Sequence, residues 1–539
     1  MPVTITPRLN RRTLLRTAPV AGLATLPALR SGWGQVAAPA IVTGDRIAAP
    51  YGVQAGDLAG DRAILWSKAD RPARMLVTWS TTEAVREPQG AATVNAVDDT
   101  DFAAKVDLTG LPPGQRVFYQ VRFLDLADLE TLSEPVTGSF ATPPAERRNV
   151  RFVWSGDTVG QGWGINPDFG GMRIYETMRA VEPDFFIHSG DTIYADNPIY
   201  PEARATGGGT WRGPEGETWR NVTIPEKEKV AETLAEFRMN YAYNLMDENL
   251  RRFNAAVPML AQWDDHEVTN NWYWELRKDQ DERYQEGSAA ILAARGMRAF
   301  HEYMPTRREP LEQDRIYTSF RYGPSLEIFR IDLRSYRGPN NDGLQGELSP
   351  EARIIGQAQL AWLMDALKAS NATWKVIACD MPIGIIVWDD FKNRKGAEAI
   401  AQGDMGPAKG RELEIADLLR FIRDQGIRNV VWLTADVHYT AAHRYDPNRA
   451  RFQEFAPFWE FVSGPLNAGT FGPGDLDATF GPELMFVKAP EPGQANLPPS
   501  AGLQFFGQVD IDGASEVMTV RLKDLAGATL FTQELTPEL

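Results

Sequence analysis

Short apolar runs divide the chain into two regions with different patterns. Between residues 52 and 142, runs that alternate apolar and polar positions are separated by turn sequences such as Leu-Pro-Pro-Gly at 111–114. Strands of this length and spacing predict a small all-β sandwich domain over residues 41–142. The runs cover residues 62–66, 73–79 and 117–123.

After residue 149, strand-like apolar runs alternate with helix-like stretches. This alternation predicts an α/β layered domain over residues 149–539. The strand-like runs cover residues 150–154, 184–188, 257–263, 326–331, 375–378 and 430–434, and two later runs at 460–464 and 506–511 are expected to complete the sheet. The predicted helices cover residues 226–249, 288–303, 351–368 and 411–424.

The first 40 residues have the layout of an export signal. Arg11 and Arg12 precede a mildly apolar run at 17–29, and small residues follow it. This order, with Arg16 beyond the arginine pair, predicts a twin-arginine signal, recognition by the twin-arginine export machinery and a periplasmic or secreted protein. The apolar run is too short for a membrane span, and no later stretch predicts one.

Composition narrows the classes of function. The formal net charge of -16 argues against a nucleic-acid-binding surface, and it also fits a chain that uses many carboxylates as metal ligands. Cys379 is the single cysteine of the sequence, so no intramolecular disulfide can form. Its apolar surroundings predict a buried, inert side chain.

Five predicted strand-to-loop junctions carry side chains that bind hard metal ions. Two Gly-Asp pairs present Asp157 and Asp191, and Tyr194 follows the second pair. The other junctions are Trp-Asp-Asp-His-Glu at 263–267, Ala-Cys-Asp at 378–380 and Thr-Ala-Asp-Val-His at 434–438. A single Gly-Asp pair is more often a turn. Five such junctions at one sheet edge instead favour a two-metal centre with oxygen and nitrogen ligands.

Together these motifs resemble those of the calcineurin-like metallophosphoesterases, and most closely the alkaline phosphatase D (PhoD-like) family. The paired Gly-Asp motifs with the tyrosine are also similar to those of purple acid phosphatases. The resemblance covers roughly residues 45–520. It implies a layered α/β metallophosphoesterase core, a β-sandwich flanked by helices, with an Ig- or fibronectin-like N-terminal domain. It also implies a metal-dependent phosphatase or phosphodiesterase that acts on small phosphate esters.

The resemblance implies a role for each matching residue. The residues that match the ferric-iron ligands are Asp157, Asp191, Tyr194 and His438, with Asp191 bridging to a second metal. The residues that match the second-metal site are Asp265, Asp380 and Asp436. His266 matches the imidazole that contacts phosphate and protonates the leaving group.

Two departures from the family pattern bear on the metals. Better-known members of the family have a cysteine where this chain has Asp157. The histidine pair that is usual in the superfamily is reduced here to Asp436 and His438, which shifts the second site toward calcium-like ions. We therefore expect two or more metal ions, Fe3+ with Ca2+, with Zn2+ or Mn2+ as alternatives.

The implied mechanism needs no covalent nucleophile. Metal ions acidify a water, the resulting hydroxide attacks phosphorus in line, and His266 and the metals stabilise the departing oxygen. Arg334 and Arg337 are candidates to bind the phosphate oxygens, and the alternative for both is a structural ion pair with Asp332. The alternative function is a secreted metal-binding protein with a catalytically silent phosphoesterase-like domain. The presence of His266 and His438 favours the enzyme.

Overall fold

The computed structural model describes residues 46–205, 209–213 and 216–538. The predicted twin-arginine signal at residues 1–40 lies outside the described residues, so it stays a prediction. In the part of the chain that is described, no helix combines the length and the apolar character that a membrane crossing requires.

The described residues form 22 strands and six α-helices. The first eleven strands are β1 (Val53–Ala59), β2 (Arg62–Lys68), β3 (Ala73–Ser80), β4 (Gly90–Ala96), β5 (Ala103–Leu108), β6 (Arg116–Asp125), β7 (Val136–Ala141), β8 (Val150–Ser155), β9 (Phe185–Ser189), β10 (Met259–Gln262) and β11 (Thr318–Tyr322). The others are β12 (Leu326–Arg330), β13 (Trp374–Ala378), β14 (Trp388–Asp390), β15 (Lys395–Ala397), β16 (Val430–Thr434), β17 (Thr440–Tyr445), β18 (Phe458–Val462), β19 (Pro482–Lys488), β20 (Phe505–Ile511), β21 (Met518–Asp524) and β22 (Thr529–Leu535). The helices are α1 (Arg173–Arg179), α2 (Leu234–Asn244), α3 (Glu248–Ala256), α4 (Ala289–Tyr303), α5 (Gln357–Ala369) and α6 (Glu412–Asp424).

Two large sheets form the centre of the fold. The nine-stranded sheet has the order β22-β21-β20-β8-β9-β10-β1-β2-β5, and the seven-stranded sheet has the order β11-β12-β13-β16-β18-β17-β19. Strands β8, β9 and β10 are parallel neighbours in the first sheet, and β12, β13 and β16 are parallel neighbours in the second. A four-stranded sheet, β4-β3-β6-β7, and the hairpin β14-β15 are separate.

Alternation of side chains along the strands builds four layers. On β8, Phe152 and Trp154 join the core between the two large sheets, whereas Val153 packs toward helices α1 to α4. On β16, Leu433 faces the same central core and Trp432 packs toward helices α5 and α6. Because strand side chains alternate with a period of two, each sheet buries both faces. The result is a helix–sheet–sheet–helix sandwich, which confirms the expected α/β fold class.

Strands of the N-terminal region are divided between two sheets. Strands β3, β4, β6 and β7 form the small four-stranded sheet, but β1, β2 and β5 extend the nine-stranded sheet. Strand β1 lies parallel to β10, with Gly56 opposite Met259. A Cβ at Gly56 would overlap the carbonyl oxygens of Met259 and Pro305, so only glycine fits this contact. The division into domains at residues 142 and 149 stays a prediction.

The single helix predicted over 226–249 is wrong, because two capping sequences divide it. Thr233 and Glu236 form a capping box that starts α2, in which the Thr233 hydroxyl accepts from the Glu236 N–H. Asp247 then caps α3 by accepting from the Leu250 N–H. The other three predicted helices are confirmed as α4, α5 and α6, with α5 beginning later than predicted, after Gly356 at a φ of 80°.

Candidate metal centre

Six strands are each followed by an aspartate at the same position, and these aspartates lie along one edge of the sandwich. In each of β8, β9, β10, β12, β13 and β16, the second residue after the strand is an aspartate. These residues are Asp157, Asp191, Asp264, Asp332, Asp380 and Asp436. Since the carboxyl ends of parallel strands meet at one sheet edge, the backbone gathers the six carboxylates there.

The loops that carry these side chains have unusual backbone conformations. Asp157, Asp191, Asp436 and His438 have φ values of 67°, 51°, 64° and 61°, in the left-handed region. A residue other than glycine held there costs about 1–3 kcal/mol of conformational free energy, and such residues cluster at functional sites. Three of the six strand-end aspartates share this conformation with His438.

The first group of potential ligands is Asp157, Asp191 and His438, whose ligand atoms all lie within 4.8 Å of one another. The Tyr194 hydroxyl lies 2.8 Å from His438 Nε2, and Asp157 Oδ1 lies 3.9 Å from the same nitrogen. The other ring nitrogen, Nδ1, bonds the carbonyl of Gly469. Burial lowers the pKa of His438 to about 4, so its imidazole is neutral, as metal binding requires.

The second group is Asp191, Asp265 and His266, again with ligand atoms within 4.8 Å of one another. His266 Nε2 lies 3.8 Å from Asp265 Oδ1, and His266 Nδ1 lies 2.6 Å from Asp196 Oδ1. The Tyr194 ring stacks on the His266 ring at 4.2 Å. Burial alone would lower the pKa of His266, but Asp196 and Asp265 outweigh it and raise that pKa to about 9. Asp191 therefore belongs to both groups.

Asp380 and Asp436 lie around the guanidinium of Arg334. Arg334 Nε is 3.7 Å from Asp380 Oδ2, and Arg334 Nη2 is 4.0 Å from Asp436 Oδ1. The same side chain donates to Asp264 through Nε and to Glu398 through Nη1. The predicted second-site carboxylates are thus close together, with a fixed positive charge beside them.

Arg334 and Arg337, the two arginines predicted to bind phosphate oxygens, do not have the expected partner Asp332. Arg334 is fully buried, and Arg337 Nη1 donates to Glu398 Oε1 at 2.9 Å. Neither guanidinium pairs with Asp332, whose Oδ1 instead accepts the backbone N–H of Arg334. The alternative expected a structural ion pair with Asp332, and this is wrong. Both arginines pair instead with Glu398, which lies between them. Those two arginines and Arg411 hold the pKa of Glu398 at about 2, against the effect of its burial.

The site has the properties of a cation-binding centre. Both carboxylate oxygens of Asp157, and one each of Asp264 and Asp380, are buried and have no hydrogen-bond partner within the described part of the chain. Burial, followed by the charge of Asp264, raises the pKa of Asp157 and Asp191. Buried, unpaired carboxylates that face one another are costly unless cations bind between them. The donor set, mostly oxygen with imidazole, suits hard metal ions.

Three residues of this centre, Asp264, Asp196 and Glu398, were not among the predicted site residues. Asp264 occupies the second position after its strand, and this shared position was a signal that could have found it. Asp196 follows Tyr194 by two residues, but nothing in the local sequence shows that it bonds His266. Glu398 follows β15, and no sequence signal connects it with Arg334, 64 residues away.

Comparisons with known proteins agree with this geometry. The family model of the PhoD-like phosphatase matches residues 152–522. The chain belongs to the PhoD-like phosphatase family. The model of the PhoD-like phosphatase N-terminal domain matches residues 36–144. The resemblance seen in the strand-end motifs is therefore confirmed, and the chain is a phosphoric ester hydrolase.

Individual relatives cover most of the chain. Alkaline phosphatase D of Bacillus subtilis (strain 168) is 27% identical over 442 residues, which is 78% of this chain and 70% of the relative. The solved structure of PhoD superposes with a TM-score of 0.65 at 18% identity, over 91% of this chain and 92% of that one. A purple acid phosphatase from yellow lupin seeds gives a TM-score of 0.54 at 10% identity, over 91% and 74% of the two chains. At these identities the two structures support the fold alone.

Proposed function

We propose that this member of the PhoD-like phosphatase family is an exported enzyme that hydrolyses phosphate monoesters, phosphate diesters or both at a two-metal centre. The observation that carries the proposal is that Asp191 belongs to two buried ligand groups, one with Asp157 and His438 and the other with Asp265 and His266. Export rests on the arginine pair of the first 40 residues.

The two groups suit different ions. Asp157, Asp191, Tyr194 and His438 would hold Fe3+, because phenol and carboxylate oxygens with one imidazole match a hard trivalent ion. Asp191 and Asp265, with Asp380 and Asp436 nearby, would hold Ca2+, and Zn2+ or Mn2+ are the alternatives. When bound, such ions supply Lewis-acid polarisation of phosphoryl oxygens and lower the pKa of water.

His266 is the proposed proton donor to the leaving-group oxygen. Its Nδ1 is held by Asp196 at 2.6 Å, so Nε2 is directed toward the Asp265 side of the centre. The Asp196 carboxylate favours the protonated imidazole, and the stacked Tyr194 ring fixes the ring plane. His266 therefore has the position of a general acid.

Arg334 remains a proposed phosphate-binding residue. Its Nη2 atom has no hydrogen-bond partner among the described residues and lies 3.8 Å from Asp265 Oδ2. The Nη2 edge of the guanidinium therefore lies toward Asp265, one of the proposed metal ligands. Asp264 and Glu398 accept hydrogen bonds from its Nε and Nη1 atoms. Arg337 donates to Glu398 and Asn340, which supports a role in holding Glu398 beside Arg334.

Hydrolysis assays before and after metal removal test the proposal. We expect the purified protein to release nitrophenol from p-nitrophenyl phosphate, bis(p-nitrophenyl) phosphate or both, and to lose this activity on exhaustive chelation. Asp191→Ala should lower turnover by more than about 100-fold, beyond what loss of an outer partner costs. Asp168→Asn is the control, since Asp168 is exposed and its carboxylate forms one ion pair among the described residues, with Arg220 at 3.8 Å. Activity that survives both chelation and Asp191→Ala would overturn the proposal.

A further inference from the structure

A cavity of about 210 Å³ lies beside the proposed centre, on the side of Asp196. Its wall includes Asp196, which holds His266, and Gln161, whose side chain accepts from the N–H of Gly469. The carbonyl of Gly469 in turn bonds His438. One residue, Asp196, thus separates the cavity from the proposed general acid, and two residues, Gln161 and Gly469, separate it from the proposed metal ligand His438.

Two arginines, Arg204 and Arg283, line this cavity together with the Asp196 carboxylate that holds His266. Arg204 stacks on the Tyr200 ring, with its guanidinium carbon 3.7 Å from the ring centroid. Among the described residues, no carboxylate lies within 4.0 Å of the Arg204 nitrogens. Arg283 pairs with Asp281 and donates to the Asp196 carbonyl at 3.2 Å. In a chain of net charge -16, an arginine that stacks on a ring and has no carboxylate partner among the described residues is suited to bind an anion.

The cavity wall is fixed rather than loose. The Asn197 side chain accepts the Gln161 N–H at 2.9 Å and donates to Asp196 Oδ1 at 3.1 Å. Asn221 Nδ2 donates to the carbonyls of Gly162 and Tyr200, so it connects the two loops that form the wall. The bond to the Tyr200 carbonyl holds the backbone of the residue on whose ring the Arg204 guanidinium stacks.

We propose that Tyr200, Arg204 and Arg283 form a subsite for a second anionic group, a carboxylate or phosphate, on the leaving-group part of the phosphate ester. The subsite rests on the proposed function, because it assigns the substrate class of the same centre. Since the cavity adjoins Asp196, it lies next to the residue that orients the acid for leaving-group protonation. Arg204 acts as a specificity residue and takes no part in the chemical step.

Phenyl phosphate and 4-carboxyphenyl phosphate form the test pair, because they differ by one carboxylate on the leaving group. Arg204→Gln should raise the KM for 4-carboxyphenyl phosphate by about 5- to 10-fold and leave that for phenyl phosphate within about twofold. Arg204→Lys, which keeps the charge but loses the planar fork, should lie in between. Arg212→Gln is the matched control, because Arg212 is exposed in the same loop, outside the cavity.

The outcomes separate the subsite from the function. If wild-type protein hydrolyses both esters and Arg204→Gln changes both KM values equally, or neither, the subsite is overturned while the function stands. If wild-type protein loaded with metal hydrolyses neither ester, nor the nitrophenyl esters, the proposed function fails and the subsite with it. A preference for the carboxylated ester that decreases with added salt in wild-type protein, but not in Arg204→Gln, supports the subsite, since exposed charges are screened.

Discussion

Asp196 fixes both the orientation and the proton of His266. Its Oδ1 lies 2.6 Å from His266 Nδ1, and its Oδ2 accepts the N–H of Asn270 at 2.9 Å. An asparagine would keep the volume but remove the charge that favours the imidazolium. We therefore expect Asp196→Asn to lower turnover of p-nitrophenyl phosphate by about 10- to 100-fold, the usual cost of losing such a partner.

The metal content of Asp196→Asn separates positioning from ligation. Elemental analysis should give the same bound metal per chain as in wild-type protein, because Asp196 is in neither ligand group and His266, which it holds, is assigned to proton donation rather than to a metal. Unchanged turnover, or a loss of activity that matches a loss of metal, would contradict the role assigned to Asp196.

His301 makes the protein sensitive to acid, away from the metal centre. Burial in α4, with Lys105 and Arg308 nearby, lowers its pKa to about 3, against about 6.5 in the unfolded chain. Between these values the unfolded chain binds the additional proton, so this residue makes stability fall as the pH falls from about 6.5 toward 3. His301→Leu removes that contribution. Between pH 7.5 and pH 4.5, the variant should lose about 2–3 kcal/mol less free energy of unfolding than wild-type protein.

Urea unfolding of both proteins at the two pH values measures this difference. The pH 7.5 values give the packing effect of the substitution alone, because His301 is neutral there in both states. An equal loss of stability in the two proteins would show that His301 is not a source of the acid sensitivity.

At the scale of elements, the strand ends determine the site. Strand β18 also ends at this edge, but its second following residue is Gly464 rather than aspartate. A Cβ at Gly464 would overlap Oδ2 of Asp157. The glycine therefore leaves room for the Asp157 carboxylate. Gly464→Ala should displace the Asp157 carboxylate and lower bound metal and turnover about 10-fold or more. Gly346→Ala is the control, since no atom lies within 4 Å of a Cβ there.

Elemental analysis and the nitrophenyl phosphate assay read out this pair of variants. If Gly464→Ala keeps full metal content and full turnover, then either Asp157 is not a ligand or its loop moves without cost.

The first turn of α2 is capped by the side chains of Thr233 and Glu236. The Thr233 hydroxyl accepts from the Glu236 N–H, and the Glu236 carboxylate accepts from the Thr233 N–H at 2.9 Å. Thr233→Ala should lower the free energy of unfolding by about 1 kcal/mol, while Thr233→Ser, which keeps the hydroxyl, should lower it by less. Urea unfolding measures both, and equal values for the two variants would contradict the capping role.

The sequence was sufficient to predict a site residue where that residue directly follows a strand. Asp157, Asp191 and Asp436 each follow an apolar strand by two residues, so sequence alone could place them at one edge. The partners of Arg334 could not be predicted, because Asp264 and Glu398 lie 70 and 64 residues away. The division of α2 from α3 was missed because helix-like composition extended through both caps.

At the scale of the whole molecule, the two large sheets place parallel strand ends along one edge and helices on both outer faces. The carboxylates of that edge are buried and lie close together, so bound metal ions would both complete the site and stabilise it. The central claim is that two metal ions share Asp191.

Metal content of three proteins tests that claim most directly. Elemental analysis of wild-type protein, Asp191→Asn and Asp157→Asn counts iron and divalent metal per chain. We predict two bound ions in wild-type protein, loss of both in Asp191→Asn because both ligand groups contain Asp191, and loss of the first-group ion only in Asp157→Asn. Wild-type metal content in Asp191→Asn, or loss of a single ion from it, would contradict the shared-ligand centre.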